Sequence, residues 1–168
     1  HWRDYYSEDR QIPGRHYSKW GGFMKDVDKF DPLFFAISPR EAELMDPQER
    51  LFLEHVWQAL EDAAYTRAGL QNPRADDLPG QVGVYVGVMY GEYQLFSHTA
   101  SEALPGSSYA SIANRVSYVL NLHGPSMAVD TMCSSSLTSI HLACQDLKLG
   151  RTDVAIAGGV NLSLHPHK

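Results

Sequence analysis

The stretch from Met127 to Val160 constrains the fold more than any other part of the chain: MAVDTM, then LTSIHLACQDLKLG, then VAIAGGV. MAVDTM is a short β-type run. Leu137, Ile140, His141, Cys144 and Leu147 recur at helical spacing as an apolar stripe, and Gly150 stands where a helix C-cap belongs. Val154 to Val160 is nearly all apolar, as expected of a strand covered on both faces. Strand, helix and strand within about 35 residues predict an α/β layered fold.

The same stretch delivers a lone cysteine, Cys133, to the expected first turn of that helix. An ordinary thiol, with pKa near 8.5, is only about 3% thiolate at pH 7, and the thiolate is the reacting species. Unpaired N–H groups and the positive end of a helix dipole favour an anion by roughly 0.3 to 2 kcal/mol. They can also hold an oxyanion once a sulfur attacks a carbonyl. Ser134, Ser135 and Ser136 keep the expected turn small and polar, with room for an acyl group. Position alone leaves two readings of Cys133, an activated nucleophile or a thiol that merely packs, since free cysteine is among the most buried residue types.

Cys144 lies eleven residues on, mid-helix, and is read as packing. Eleven helical residues span roughly 16 Å, too far for a disulfide between the two. His141 is eight residues from Cys133, roughly 12 Å along a helix, and cannot be its acid–base partner. His123, His165 and His167 remain open as partners. Two cysteines without CxxC spacing make a poor zinc site, and HPH at His165 to His167 is the sole close histidine pair, so no metal is expected.

The rest of the chain is read from its punctuation. Residues 1–20 suggest an irregular polar and aromatic segment, and Phe30, Phe34 and Phe35 are expected to pack inward. Ser38-Pro39-Arg40-Glu41 and Asp46-Pro47-Gln48-Glu49 each supply an N-cap, a proline at the first helical position and a glutamate at the third. In the second helix Phe52, Val56, Ala59, Leu60 and Ala63 form one face; the helix is expected to run about 17 residues to near Tyr65, with Glu54, Glu61 and Asp62 in solvent. Residues 72–80 read as a loop and Gln81 to Val88 as a strand whose Gly83 and Gly87 allow close packing. A short helix is expected around Tyr93 to Phe96. Another is expected from Ser107, closed by Gly124-Pro125.

With 168 residues, 43% of them hydrophobic, the chain can bury one sizeable core, and no repeat or linker divides it. A formal net charge of −6 and no Lys/Arg-rich run argue against nucleic acid or an anionic membrane as partner. No stretch approaches the roughly 18 apolar residues of a membrane span, which makes a cytoplasmic setting the default. The start at His1 and the ending SLHPHK suggest a piece of a longer polypeptide.

Several segments also carry a family resemblance. VDTMCSSSL, Val129 to Leu137, resembles the active-cysteine motif of β-ketoacyl synthases, and FDPLFFAISPREAELMDPQERLFLE, Phe30 to Glu54, resembles the N-terminal signature of modular polyketide synthase ketosynthases. ANRVSYVLNLHGPS and DVAIAGGVNL, Ala113 to Ser126 and Asp153 to Leu162, are similar to flanking family segments in the right order. The resemblance implies a thiolase-like layered αβαβα fold, present here as part of its N-terminal half, so that residues 1–168 are a partial ketosynthase domain without its first strand and C-terminal half. It implies a homodimer and an acyl carrier protein as partner, together with other polyketide synthase domains in the same polypeptide. No cofactor is bound by the domain itself. Substrates arrive on the carrier protein's 4'-phosphopantetheine arm.

By the same resemblance Cys133 accepts the acyl chain and yields it to the carbanion from a decarboxylated malonyl unit, with the Cys133 backbone N–H in the oxyanion hole. Met132, where many relatives have alanine, is assigned to substrate binding. With the LHPHK ending it resembles ketosynthases served by a separate acyltransferase. The family's two catalytic histidine motifs are expected beyond Lys168, and no histidine role is carried over. Two alternatives accompany this reading: a non-elongating ketosynthase that only passes acyl chains on, and a non-catalytic scaffold for dimerisation and carrier docking.

Overall fold

The computed structural model describes residues 2–72, 78–93 and 108–164. Its centre is β1, Val82–Gly87, whose six residues are all buried. β2, Ser126–Val129, and β3, Val154–Gly159, pair with β1 on either side, both parallel, in the order β2-β1-β3. Val84 stands opposite Ser126 in one ladder and Ile156 in the other. The chain is thus an α/β fold with a parallel sheet.

Strand alternation divides the two faces of that sheet sharply. Val82, Val84 and Val86 enter the apolar core with Phe52, Leu53, Val56 and Leu60 of α2, Pro47–Asp62, and Ile112, Ala113, Val116 and Leu120 of α3, Tyr109–Leu120. The alternate residues Gly83, Tyr85 and Gly87 face the other way, toward α4, Ser135–Lys148. One face is closed by valines under two helices. The other is closed by glycines and one tyrosine under a single helix.

The expected caps form at both proline-led starts. Ser38 Oγ accepts the Glu41 N–H at 3.2 Å to open α1, Pro39–Leu44, and Asp46 Oδ1 accepts the Gln48 N–H at 2.8 Å to open α2. α2 stops at Asp62 and not near Tyr65. Ala64, at φ 59°, takes the left-handed cap position, and Tyr65 N–H returns to Leu60 O at 2.8 Å. An alanine in that role gives no sequence signal. α3 likewise ends earlier than Gly124-Pro125, on left-handed Asn121, while Gly124 lets the chain pass against the backbone of Val82. Gly150 caps α4 as expected: φ is +67°, and the Arg151 and Gly150 N–H groups return to Asp146 O and Leu147 O. The short helix expected around Tyr93 to Phe96 lies mostly outside the described residues.

Three burial expectations are corrected. Val154 to Val160 is only half-buried, because β3 is an edge strand here. Of the three phenylalanines only Phe35 is buried; Phe30 is partly buried and stacks on Phe35, while Phe34 is exposed and meets Trp57 edge-on. The apolar stripe of α4 faces away from the sheet: Leu137 is 70% exposed, and Ile140, Cys144 and Leu147 are exposed too. Its buried residues are the small ones, Ser135, Ser139 and Ala143. A helix laid close on glycines needs small side chains there, and the apolar stripe is left to the outside.

Candidate active site

The turn between β2 and α4 is built from side-chain hydrogen bonds to its own backbone. Asp130 Oδ1 accepts the Met132 N–H at 2.9 Å, an Asx-type turn. The Ser135 hydroxyl is the main clasp: it accepts the Thr131 N–H at 2.9 Å and donates to Met132 O at 2.6 Å. Ser134 Oγ, instead of capping the helix, donates back to Thr131 O at 2.8 Å, and Thr131 and Thr138 hydroxyls lie 3.0 Å apart. These bonds hold Met132 at φ 59°, a left-handed conformation that costs a non-glycine residue about 1 kcal/mol or more.

The consequence of that bend is the placing of Cys133. It is a free, exposed thiol just after the strained residue and one residue before Ser134, the N-cap of α4. This corrects the expected position in the first helical turn, which begins at Ser135. The sulfur-bearing residue precedes the helix, and Ser135 and Ser136 supply the first turn.

What lets the turn reach the sheet is the absence of two side chains. A Cβ on Gly87 would lie 2.5 Å from Ser135 C and Ser136 N, and one on Gly159 would lie 2.8 Å from Ser136 Cβ. The start of α4 therefore rests on the bare C-terminal ends of β1 and β3. A depression of about 130 Å³ opens there, with Gly87, Val88 and Met89 on one side, Gly159 and Val160 on another, and Met132, Cys133, Ser135 and Ser136 along its rim. Ligand sites of parallel α/β sheets lie at the carboxyl ends of the strands, which is where this one is. Met132, 61% exposed, is part of the same wall.

The two described histidines considered as partners, His141 and His123, are engaged by other residues. His141, on the exposed side of α4, bonds Gln145 Nε2 at 2.9 Å, and His123 Nδ1 lies 2.8 Å from Pro79 O. His165 and His167 lie outside the described residues. Cys144 is exposed, contrary to the packing expected of it. Among the described residues no group of three or more His, Cys, Asp or Glu side chains is arranged to hold a metal, and no helix is long and apolar enough to cross a membrane. A larger cavity, about 920 Å³, lies against α2 and α3 and is lined by none of the residues around Cys133.

Sequence reasoning missed Ser135 as a clasp and Gly159 as a contact. A serine run after a cysteine gives no sign of which hydroxyl turns back. Gly159 was visible only as one of two glycines in an apolar strand. The Asp130 turn carried the one local signal, an Asx residue two positions before a bend.

Comparison with known proteins bears on this geometry. The family model described as "Beta-ketoacyl synthase, N-terminal domain" matches residues 1–168. The chain is 64% identical over 170 residues to polyketide synthase PksL of Bacillus subtilis, covering 98% of this chain and 4% of PksL. It is 58% identical to polyketide synthase ThaG of Burkholderia thailandensis, covering 98% of this chain and 3% of ThaG. Among solved structures, the oxazolomycin ketosynthase domain OzmH KS7 of Streptomyces albus JA3453 superposes with a TM-score of 0.86 at 52% identity, over 99% of this chain and 29% of that one. The ketosynthase from module 6 of the bacillaene synthase of Bacillus subtilis superposes with a TM-score of 0.76 at 45% identity, over 86% of this chain and 24% of that one. The chain therefore spans a small fraction of the curated relatives and under a third of the solved domains.

Proposed function

Because this chain belongs to the β-ketoacyl synthase family, with the thiolase-like fold of its ketosynthase neighbours, we propose that it is the nucleophile-bearing part of a polyketide chain-elongating ketosynthase. In this reading the Cys133 thiolate attacks the carbonyl of an acyl thioester on the phosphopantetheine arm of a carrier protein. The C–S bond to the arm breaks, the arm leaves as its thiol, and the acyl group stays on Cys133. A malonyl unit on a carrier protein then loses carbon dioxide. The resulting carbanion attacks the Cys133 thioester, a C–C bond forms, and the thiolate is returned.

The single observation that supports this most is the placement of an exposed Cys133 between a left-handed residue and the N-cap of α4, at the mouth of a depression on the strand ends. The backbone N–H of Cys133 takes part in the oxyanion hole in this reading, and Met132 forms a wall for the acyl group. The intact parent is a cytoplasmic homodimer within a larger synthase whose acyltransferase is a separate protein. The 168-residue chain alone is inactive in condensation, since it spans only 29% of a solved ketosynthase chain.

Acyl trapping tests the reading. The intact parent, given an acyl thioester mimic, gains one acyl mass on the peptide bearing Cys133, and Cys133→Ala loses it. Labelling of Cys144, or of nothing, overturns it. Condensation product from the 168-residue chain alone overturns the claim of inactivity.

A further inference from the structure

Two loops leave the strand ends to form the walls beside Cys133, and a buried side chain ties them together. Val88 continues β1, its N–H bonded to Val129 O at 3.1 Å, and Val160 continues β3, its N–H bonded to Gly87 O at 3.0 Å. Two residues beyond each, Gln48 joins the chains: its Nε2 donates to Tyr90 O at 2.6 Å and its Oε1 accepts the Leu162 N–H at 2.9 Å. Two residues further still, Glu92 Oε2 accepts the Leu164 N–H at 2.7 Å. The loops thus run side by side as a short ladder. Gln48, 1% exposed at the start of α2, is its first rung beyond the site.

We propose that Gln48 is a positioning residue that sets the separation of the Val88–Met89 and Val160 walls, and through it the acyl groups admitted to Cys133. The proposal rests on Cys133 being the acylated nucleophile. Gln48 touches no reacting atom. Its amide is suited to the task because it offers a donor to one loop and an acceptor to the other, which no apolar or singly charged side chain of that length does. Without it the half-buried Tyr90 carbonyl and Leu162 N–H lose the side chain that joins them, and the walls are free to part. α4 and its clasp are untouched, so the thiol itself keeps its setting.

The test uses the intact parent and two variants, Gln48→Leu, which removes both bonds, and Gln48→Glu, which keeps the acceptor and loses the donor. Cys133 alkylation by iodoacetamide reads the thiol. Cys133 acylation by acetyl and by branched-chain N-acetylcysteamine thioesters, with kcat and KM separated, reads the walls. The expected result is alkylation within about twofold of wild type and a branched-to-acetyl ratio of kcat/KM raised about threefold to tenfold, the scale of one net hydrogen bond, mostly through KM. Gln48→Glu, which sets a carboxylate oxygen against Tyr90 O, shifts the ratio the same way by at least as much, and carries the test if Gln48→Leu does not fold. A common loss for both thioesters that follows alkylation, or an unchanged ratio in a folded variant, overturns the role of Gln48. Wild type that takes no acyl group on Cys133 overturns the nucleophile reading as well, so the two failures are told apart.

Discussion

The Tyr85 hydroxyl, at the centre of β1, donates to Asp146 Oδ2 at 2.5 Å and pins the C-terminal half of α4 to the sheet. Arg151 joins Asp146 from the solvent side at 3.2 Å. Tyr85 is fully buried, and burial first, then its bond to Asp146, raises its pKa above the ordinary 10.

Tyr85→Phe leaves Asp146 with one partner fewer and should cost about 1 to 3 kcal/mol in denaturant unfolding at pH 7. The pH dependence has a definite sign. With its folded pKa raised, Tyr85 contributes stability that is fully present below pH 10, the unfolded value, and is lost as pH rises above it. Wild type should lose stability in that alkaline range, and Tyr85→Phe should lose less.

Gly87→Ala places a methyl 2.5 Å from the backbone of Ser135 and Ser136, which cannot rotate away. It should destabilise by about 1 to 3 kcal/mol and slow Cys133 alkylation, because the turn must rise off the sheet. Gly158→Ala is the control. Its Cβ would meet the Phe52 ring edge at 3.3 Å, a side chain able to yield, and alkylation should be unchanged. Thermal unfolding and iodoacetamide kinetics measure both.

Gly87 and Gly159 show how far a sequence can be read. The strand–helix–strand order, both proline-led caps and the Gly150 cap were legible because each depends on residues a few positions apart. The orientation of α4 was not. Apolar periodicity assumes that the greasy side of a helix faces the sheet, but Gly87 and Gly159 bring α4 so close that only Ser135, Ser139 and Ala143 fit beneath it. Cys133 was legible as a lone cysteine at the end of a strand. The left-handed Met132 and the Ser135 clasp that aim it were hidden, because nothing in TMCSSS says which residue bends backward.

Met132 is held at φ 59°, where a β-branched residue fits worst. Met132→Val should cost about 1 to 3 kcal/mol and lower the Cys133 alkylation rate. Met132→Gly should be close to neutral in thermal unfolding, relief of strain offsetting the added freedom of the unfolded chain.

The charges on the sheet's other side make a contrasting pair. Arg115 of α3 bonds Glu49 at 2.8 Å and Glu41 at 2.7 Å, and Ser111 donates to Glu49 as well. Glu49 is 1% exposed, while the Glu41 side chain is 47% exposed and Arg115 20%. Glu49→Ala strips a one-fifth-exposed Arg115 of its buried partner and should cost about 2 to 4 kcal/mol in denaturant unfolding. Glu41→Ala removes a partner held in solvent and should cost under about 1 kcal/mol. Sequence reading placed three other acidic residues of α2 in solvent and had no means of pairing Glu49 with an arginine 66 residues away.

The Gln48 ladder also orders events in time. Helix α2 leaves the ribosome long before Leu162, 114 residues later, which is the partner its buried amide needs. Contacts of that span are the last to be reached by a growing chain, since the loop between them must first be closed. Until then α2 holds an unanswered polar group at the edge of its core, and the walls beside Cys133 have no fixed spacing. The surroundings of Cys133 are therefore completed by synthesis of the segment after β3, so a nascent chain stopped short of Leu162 can own the cysteine without owning its pocket.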